Sequence, residues 1–495
     1  MSISQKVLKG SIWSLAISWF NRSIGLISTL ILLRVLQPAD FGIVALATMV
    51  MLLFMSFCEL GIRQYIIKTP DITDEMVNNA WSLQLVINFI ITICLLLTAP
   101  VISTILGDEK LTDILRVIAF IPSIAALNNI GGTLLIKQLD YSKVTKIAIG
   151  AKLVSTPVTI YIAVIHKSYW ALVIGNLTSI IVVCIFSYLF ISYRPRLRFS
   201  KFKEIFAETK WLLIGTLTGF IRSKIESFIV NSKFGVEGLG LYDTSKEFAL
   251  LPLSDIITPA SAPLLAGVSS IKTGLNDAYK AIIKYLYIAM FFIIPSIVGI
   301  FIVGDLFVEV VMGEQWIKAI PIFKTVSILM IVFPIYNCCR TIMFLSNDLK
   351  VLTIMDIASI AAMLAILTPS FIDSLEFLAW GRVLIGVCFA FTLIAMLKVR
   401  YKFSVKPIFV LFVAVLTLSL PFASCIYFLK LHMLDQGKVI SLLVSSFCGC
   451  IVYLSTVFFS IKILAKRSEY FLFTSEFINN NISTIKTKVS HILNK

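Results

Sequence analysis

Residues 10–68 read GSIWSLAISWFNRSIGLISTLILLRVLQPADFGIVALATMVMLLFMSFCELGIRQYIIK. Two apolar runs, each longer than the ~20 residues that span a bilayer, flank a turn at Gln37, Pro38, Ala39 and Asp40. Both runs carry charge. Arg22 lies about 12 residues into the first, which at 1.5 Å per residue puts it ~18 Å deep, near the midplane of a ~30 Å hydrocarbon core. In the second, Glu59 and Arg63 stand at i and i+4, so they share a helix face and can pair. An ionised side chain at the bilayer centre costs roughly 2.5–3.5 kcal/mol. Such residues persist where they face a bundle interior or a watery cavity. The stretch therefore predicts two spans beside a polar pathway.

Composition extends this to the whole chain. Of its 495 residues 58% are hydrophobic and 14% charged, and repeated apolar runs exclude a soluble globular protein. The first run is long and lacks an A-x-A site, so it reads as an uncleaved signal-anchor. The net charge of +16 does not point to nucleic acid, because Lys and Arg concentrate in alternate loops, as the positive-inside rule requires. The nine cysteines fall in apolar runs and form no ligand pattern with the three histidines. They read as small membrane hydrophobes, and no metal site is expected.

The pattern predicts an all-α polytopic membrane protein of about fourteen spans, each ~20 residues or more. Their limits are 10–36, 41–67, 80–106, 111–136, 144–165, 169–192, 211–233 and 241–268, then 279–303, 317–345, 349–370, 375–397, 407–429 and 439–464. With Lys6 and Lys9 inside, the basic clusters Lys137/Lys143/Lys146, Arg194/Arg196/Arg198, Lys272/Lys280/Lys284 and Lys398/Arg400/Lys402 are cytoplasmic. The opposite connections are acidic or nearly neutral, as at Asp108 and Glu109, Glu237 and Asp243, and Asp305, Glu309 and Glu314. Both termini are then cytoplasmic. After Lys466, residues Ile478, Ile482, Ile485, Val489 and Ile492 recur at helical spacing among lysines. They predict a basic amphipathic tail, 466–495, on the inner leaflet.

The chain also repeats. Trp13 and Gly42 match Trp211 and Gly240 at an offset of 198 residues. Each pair brackets a helix with an arginine in its middle, Arg22 in one and Arg222 in the other. An even number of spans per half implies parallel repeats about an axis along the membrane normal. The expected domains are an N-terminal six-helix lobe (1–200), a C-terminal six-helix lobe (201–404), an extra helix pair (405–465) and the tail.

The segments Arg34-Val-Leu-Gln-Pro-Ala-Asp-Phe-Gly42, Glu59-Leu-Gly-Ile-Arg-Gln-Tyr-Ile-Ile-Lys68, Leu135-Ile-Lys-Gln-Leu-Asp-Tyr-Ser-Lys143 and Phe234-Gly-Val-Glu-Gly-Leu-Gly-Leu-Tyr242 resemble hallmark segments of bacterial polysaccharide flippases. These form the O-antigen and exopolysaccharide (Wzx-type) branch of the multidrug/oligosaccharidyl-lipid/polysaccharide exporter superfamily. The seventh helix departs from the family pattern: an Asp and a Gly five residues later are replaced by Glu226 and Asn231. The resemblance implies alternating-access transfer of undecaprenyl-pyrophosphate-linked oligosaccharide from the cytoplasmic to the periplasmic leaflet of the inner membrane. It serves lipopolysaccharide or exopolysaccharide synthesis. Implied partners are the lipid-linked oligosaccharide, the membrane and polysaccharide-assembly proteins, with no nucleic acid. No cofactor is implied, and a coupling ion, H⁺ or Na⁺, is left open.

A diphosphate is anionic, and Arg binds phosphate through paired donors. Arg22 and Arg222 are the leading substrate-binding candidates, near mid-depth at corresponding places. The bland alternative is an interhelical ion pair. Glu59 with Arg63, and Arg222 with Glu226, share the i, i+4 spacing and the same ambiguity between cavity wall and internal pair. Lys224 points away from Arg222 and Glu226, either across the cavity or against the next helix. Lys152, Asp356 and Arg382 lie nearer to helix ends, where the two basic ones can snorkel. Asp255 sits deeper, among Pro252, Pro259 and Pro263, which predict a kinked or broken eighth helix. Asn128 and Asn129 suit either sugar hydroxyls or helix joining.

Other functions stay open at this level. A lipid II flippase or a small-solute exporter of the same superfamily shares the architecture, although two mid-depth arginines favour an anion over a cationic drug. A membrane glycosyltransferase or polymerase needs a sizeable outer loop bearing catalytic carboxylates or arginines, and no such loop is present. Asp71 and Asp74 fall on the cytoplasmic side.

Overall fold

The computed structural model describes residues 22–56, 62–69, 71–138, 140–200, 202–258, 275–346, 348–368 and 372–464. Every regular element among the described residues is helical. That follows from the solvent: in lipid no water satisfies an open backbone, so each apolar run bonds its own N–H and C=O groups as a helix. Nine described helices are long and apolar enough to cross a membrane, and a bent pair raises the number to ten. The chain packs as two compact units, Met1–Thr244 and Ser245–Lys495.

In the first unit, α1 (residues 22–35) is followed by α2 (Pro38–Ser56) and α3 (Ile62–Lys68). Asp40 accepts the Gln37 amide at 2.9 Å and holds the turn between the first two. Next comes α4 (Asp74–Leu106), which starts earlier than hydropathy predicts because Thr73 caps it, accepting the Met76 amide.

The predicted span 111–136 is not one helix. It forms α5 (Lys110–Ile118), α6 (Phe120–Ala126) and α7 (Gly131–Lys137), with a 57° bend before the last. The reason is a set of polar contacts from other elements. Thr92 of α4 donates to the Ala119 carbonyl at 2.7 Å, where α5 gives way to α6. At the bend, the Asn129 side chain accepts the Gly131 amide (2.9 Å) and donates to the Tyr193 carbonyl (2.7 Å), while its own amide donates to Ser187 (3.0 Å). Asn129 thus joins helices. Two longer helices, α8 (Ser142–His166) and α9 (Trp170–Phe190), follow. The extended stretch after α9 is strapped to the start of α4, where the amides of Arg196 and Arg198 each donate at 2.8 Å to Asn78 and Ser82.

The helix α10 (Phe202–Ala249) joins the predicted seventh and eighth spans, interrupted only by Gly235 at φ 65°, ψ −169°. That positive φ suits glycine alone. The outer loop predicted around residue 237 is therefore a one-residue reversal, and Asp243 is helical. Two side-chain latches close the reversal: Tyr242 donates to Glu226, and Ser227 donates to Asp243 at 2.9 Å.

Just beyond it, α10 meets α2 at backbone distance. A Cβ placed on Gly42 would lie 1.7 Å from the Val236 carbonyl oxygen; one on Gly240 would lie 1.8 Å from that of Pro38. The contact is reciprocal: Gly42 and Gly240, like Pro38 and Val236, correspond at the 198-residue offset. Small residues permit such close approach, with Cα–H groups against carbonyls. The latched reversal of α10 lies within the first compact unit, which ends at Thr244.

In the second unit, a π turn at Leu253–Ile257 follows Pro252; Pro259 and Pro263 lie outside the described residues. Then come α11 (Leu275–Phe307), α12 (Ile320–Ser327), α13 (Val332–Leu345), α14 (Leu349–Leu367) and α15 (Leu375–Val399), and finally α16 (Lys406–Leu418), α17 (Leu420–Met433) and α18 (Lys438–Leu464). Its core centres on α11, where Ile283, Ala289 and Ile293 pack with Cys339 and Ile342 of α13 and Leu393 of α15. The last helices are tied by charge to α11 and to the π turn Val308–Met312 that follows it. Lys430 reaches Asp305 at 2.6 Å and Lys438 reaches Glu309 at 2.6 Å. The tail 466–495 lies outside the described residues.

Candidate substrate site

The candidate residues divide between the two units, and the first brings two of the cations together. Arg22 is half-buried where the described part of α1 begins. Gly25, one turn on, leaves room for a neighbour, and Lys152 of α8 occupies it. A Cβ on Gly25 would lie 3.7 Å from both Cε and Nζ of Lys152. Residues three apart share a helix face, so the lysine ammonium lies against the face of α1 that carries Arg22. Lys152 therefore turns toward α1, at a depth where sequence alone suggested snorkelling.

The remaining candidates of this unit fall into three groups. Arg63 is exposed on α3, whereas Glu59 lies outside the described residues, so their pairing is not described. The Arg222 position is helical in α10, but its side chain is outside the description. Glu226 is 3% exposed and accepts the Tyr242 hydroxyl, which makes it part of the latch across Gly235. Lys224 goes elsewhere. It is half-buried and lines a cavity of about 340 Å³ between α2, α4 and α10 whose other walls are apolar. Among the described residues no carboxylate pairs with it.

In the second unit, Asp255 is half-buried in the π turn, where Ser254 donates to it at 3.1 Å. Asp356 of α14 accepts the Tyr336 hydroxyl at 3.2 Å. Arg382 of α15 is half-buried, with one guanidinium nitrogen 3.2 Å from where a Cβ on Gly386 would be. Gly386 thereby gives the guanidinium its place along α15. What sequence reasoning did not foresee is the placement of Lys152 beside Gly25 of α1. The signal available was faint: a glycine one turn from a mid-span arginine.

The arrangement defines a class. A chain of apolar helices, nine of them among the described residues long enough to span a bilayer, is a multi-pass membrane protein. Comparison carries this further. Residues 31–321 match the model of the polysaccharide biosynthesis protein family, and the chain belongs to that family. It is 24% identical over 336 residues to an uncharacterized membrane protein in the cps region of Klebsiella pneumoniae, covering 66% of this chain and 69% of the relative. It is 21% identical over 340 residues to the lipopolysaccharide biosynthesis protein WzxC of Escherichia coli (strain K12), covering 66% and 68%. Among solved structures, the lipid II flippase MurJ in its inward closed conformation superimposes with a TM-score of 0.67 at 15% identity, covering 92% of this chain and all of that one. At that identity the likeness speaks for the fold.

Proposed function

We propose that this protein transfers an undecaprenyl-diphosphate-linked oligosaccharide from the cytoplasmic to the periplasmic leaflet of the bacterial inner membrane, by alternating access and without chemistry on the substrate. The observation that carries the proposal is the placement of Lys152 against the Arg22 face of α1. Two cations at that depth favour an anionic group, and a lipid diphosphate is the anion that must cross there. Arg22 supplies paired donors and Lys152 a point charge; Arg222 is the proposed counterpart from the second repeat. Asp255, Asp356 and Arg382 are assigned to the remaining wall, and Glu59 with Arg63 to its gate. Two six-helix lobes, cytoplasmic termini and a basic tail on the inner leaflet complete the reading. Family membership supports it, as does the fold shared with a lipid II flippase.

The test measures protein level in the membrane together with accumulation of lipid-linked oligosaccharide, in cells lacking the native gene. Losing a charge-assisted phosphate contact costs roughly 1.5–3 kcal/mol, about ten- to a hundredfold in binding. Arg22→Ala and Lys152→Ala should cut flux accordingly at normal abundance, with Arg22→Lys in between. Normal flux in both alanine variants would remove this pair from the site. Ionophores that collapse the H⁺ or the Na⁺ gradient separately identify the driving ion.

A further inference from the structure

The longest described helix of the second unit, α11, carries Pro295 inside it. Proline has no N–H, so the carbonyl four residues back, that of Phe291, loses its helical donor. In lipid no water takes that place. The Tyr453 hydroxyl of α18 does, donating to the Phe291 carbonyl at 2.7 Å. The neighbouring Phe292 carbonyl is served from within α11, by the Ser296 hydroxyl at 2.7 Å, so it is the Phe291 carbonyl that draws on another helix. Packing aims the phenol there. Tyr453 lies edge-on to Phe422 of α17, with ring centroids 5.7 Å apart at 66°. Two glycines make room for that Phe422 ring: a Cβ on Gly449, one turn before Tyr453, would lie 3.2 Å from it, and one on Gly299, one turn after Pro295, would lie 3.5 Å from it.

Two more ties lie on either side of this joint. Near the start of α11, Tyr279 stacks on Phe403 at 4.3 Å and donates to the Ser404 carbonyl at 2.6 Å, just before α16 begins. Near its end, Lys430 of α17 reaches the Ile302 carbonyl at 2.8 Å and Asp305 at 2.6 Å, and Lys438 of α18 reaches Glu309 in the π turn beyond. From Tyr279 to Glu309 the ties cover roughly 45 Å of helix, with the Pro295 gap between them. A joint tied on both sides and bridged at its gap is held at one angle. We infer that the last helix pair, α16–α17 and α18, is a splint that fixes the bend of α11 at Pro295. Tyr453 is the positioning residue at the joint, supplying the donor that proline lacks. Because α11 also centres the core with α13 and α15, a fixed bend makes these helices one rigid body. Such a splint acts within the second unit and does not depend on what the protein carries.

The test is the shape of α11 in the full-length protein, purified into phosphatidylethanolamine/phosphatidylglycerol nanodiscs. Spin labels carried on p-acetylphenylalanine in place of Lys280 and Phe301, both exposed, leave the native cysteines untouched. Pulsed electron double resonance then reads their separation, roughly 30 Å along the helix. The otherwise unaltered chain should give one narrow distribution. Tyr453→Phe keeps the ring and loses only the hydroxyl; it should broaden the distribution toward shorter separations and lower the thermal midpoint. Adding Pro295→Ala returns an N–H to the Phe291 carbonyl, so the double variant should be narrow again and melt higher than Tyr453→Phe. A tyrosine that merely fills space predicts neither effect. An unchanged distribution in Tyr453→Phe, or broadening that Pro295→Ala does not reverse, would overturn the splint. If Tyr453→Phe does not fold, the double variant answers alone: a folded protein with a narrow distribution supports the splint, and failure to fold overturns it. The separation is read without substrate, so oligosaccharide flux, measured in cells, decides the transfer reading independently.

Discussion

Gly42→Ala is the perturbation whose consequence the structure dictates most directly. The new methyl would sit 1.7 Å from the Val236 carbonyl oxygen, while ordinary contact begins at 3.4 Å. The obstacle is backbone, so no rotamer change relieves it, and α2 and α10 must separate by the difference. Gly240→Ala forces the same separation from the other side, against the Pro38 carbonyl at 1.8 Å. Overpacking a tight contact costs about 1–3 kcal/mol, and here the Cα–H contacts between the glycines are lost as well. Each single variant should therefore lower the thermal midpoint of the detergent-purified protein. The double variant should cost clearly less than the sum, because the first separation already makes room for the second methyl. Gly107→Ala is the control: its φ of 77° brings strain, but nothing lies within 4 Å of the added carbon. Since Gly42 and Gly240 seat α2 on α10, separating the helices should expose Pro38, and single-cysteine probes on Pro38 should label faster in Gly42→Ala. Wild-type midpoints and labelling rates in both single variants would refute the close approach.

Two further outcomes concern the joints of the bundle. Asn129→Ala removes a cap on Gly131 and a donor to the Tyr193 carbonyl at a buried site, so it should cost about 1–3 kcal/mol, read as a fall in thermal midpoint with normal membrane insertion. Asp348, in the connection before α14, is bound by Arg400 through two hydrogen bonds (3.0 and 2.7 Å) and by Tyr401 at 2.9 Å. The Arg400 hydrogen bond first, then that from Tyr401, holds its carboxyl below the ordinary carboxylate value. A depressed pKa in the folded state stabilises above the unfolded value, about 4, and that contribution fades as pH falls through the folded one. Thermal midpoints should thus drop between pH 5 and pH 3 more steeply in wild type than in Asp348→Asn; parallel profiles would show the contact to be idle.

Much of this protein is legible in one dimension because a bilayer imposes a one-dimensional rule. Apolar length fixes where spans run, and loop charge predicts their direction. An arginine in mid-span announces an interior. Even the 198-residue offset that pairs Gly42 with Gly240 can be read from letters, although that the two glycines touch cannot. What sequence withholds is the identity of the neighbour. A helix apolar all round has no distinct face to say which side meets lipid and which meets protein, so the roles of Lys152 and Lys224 are indistinguishable by pattern. Tertiary packing parts them: Gly25 of α1 receives Lys152, while Lys224 turns into an apolar groove. Likewise the break of the predicted span 111–136 depends on Thr92, Ser187 and Tyr193, residues remote in sequence that supply the hydrogen bonds a bent helix needs. Spans answer to solvent, which composition records; joints and sites answer to partners, which only the folded chain brings within bonding distance.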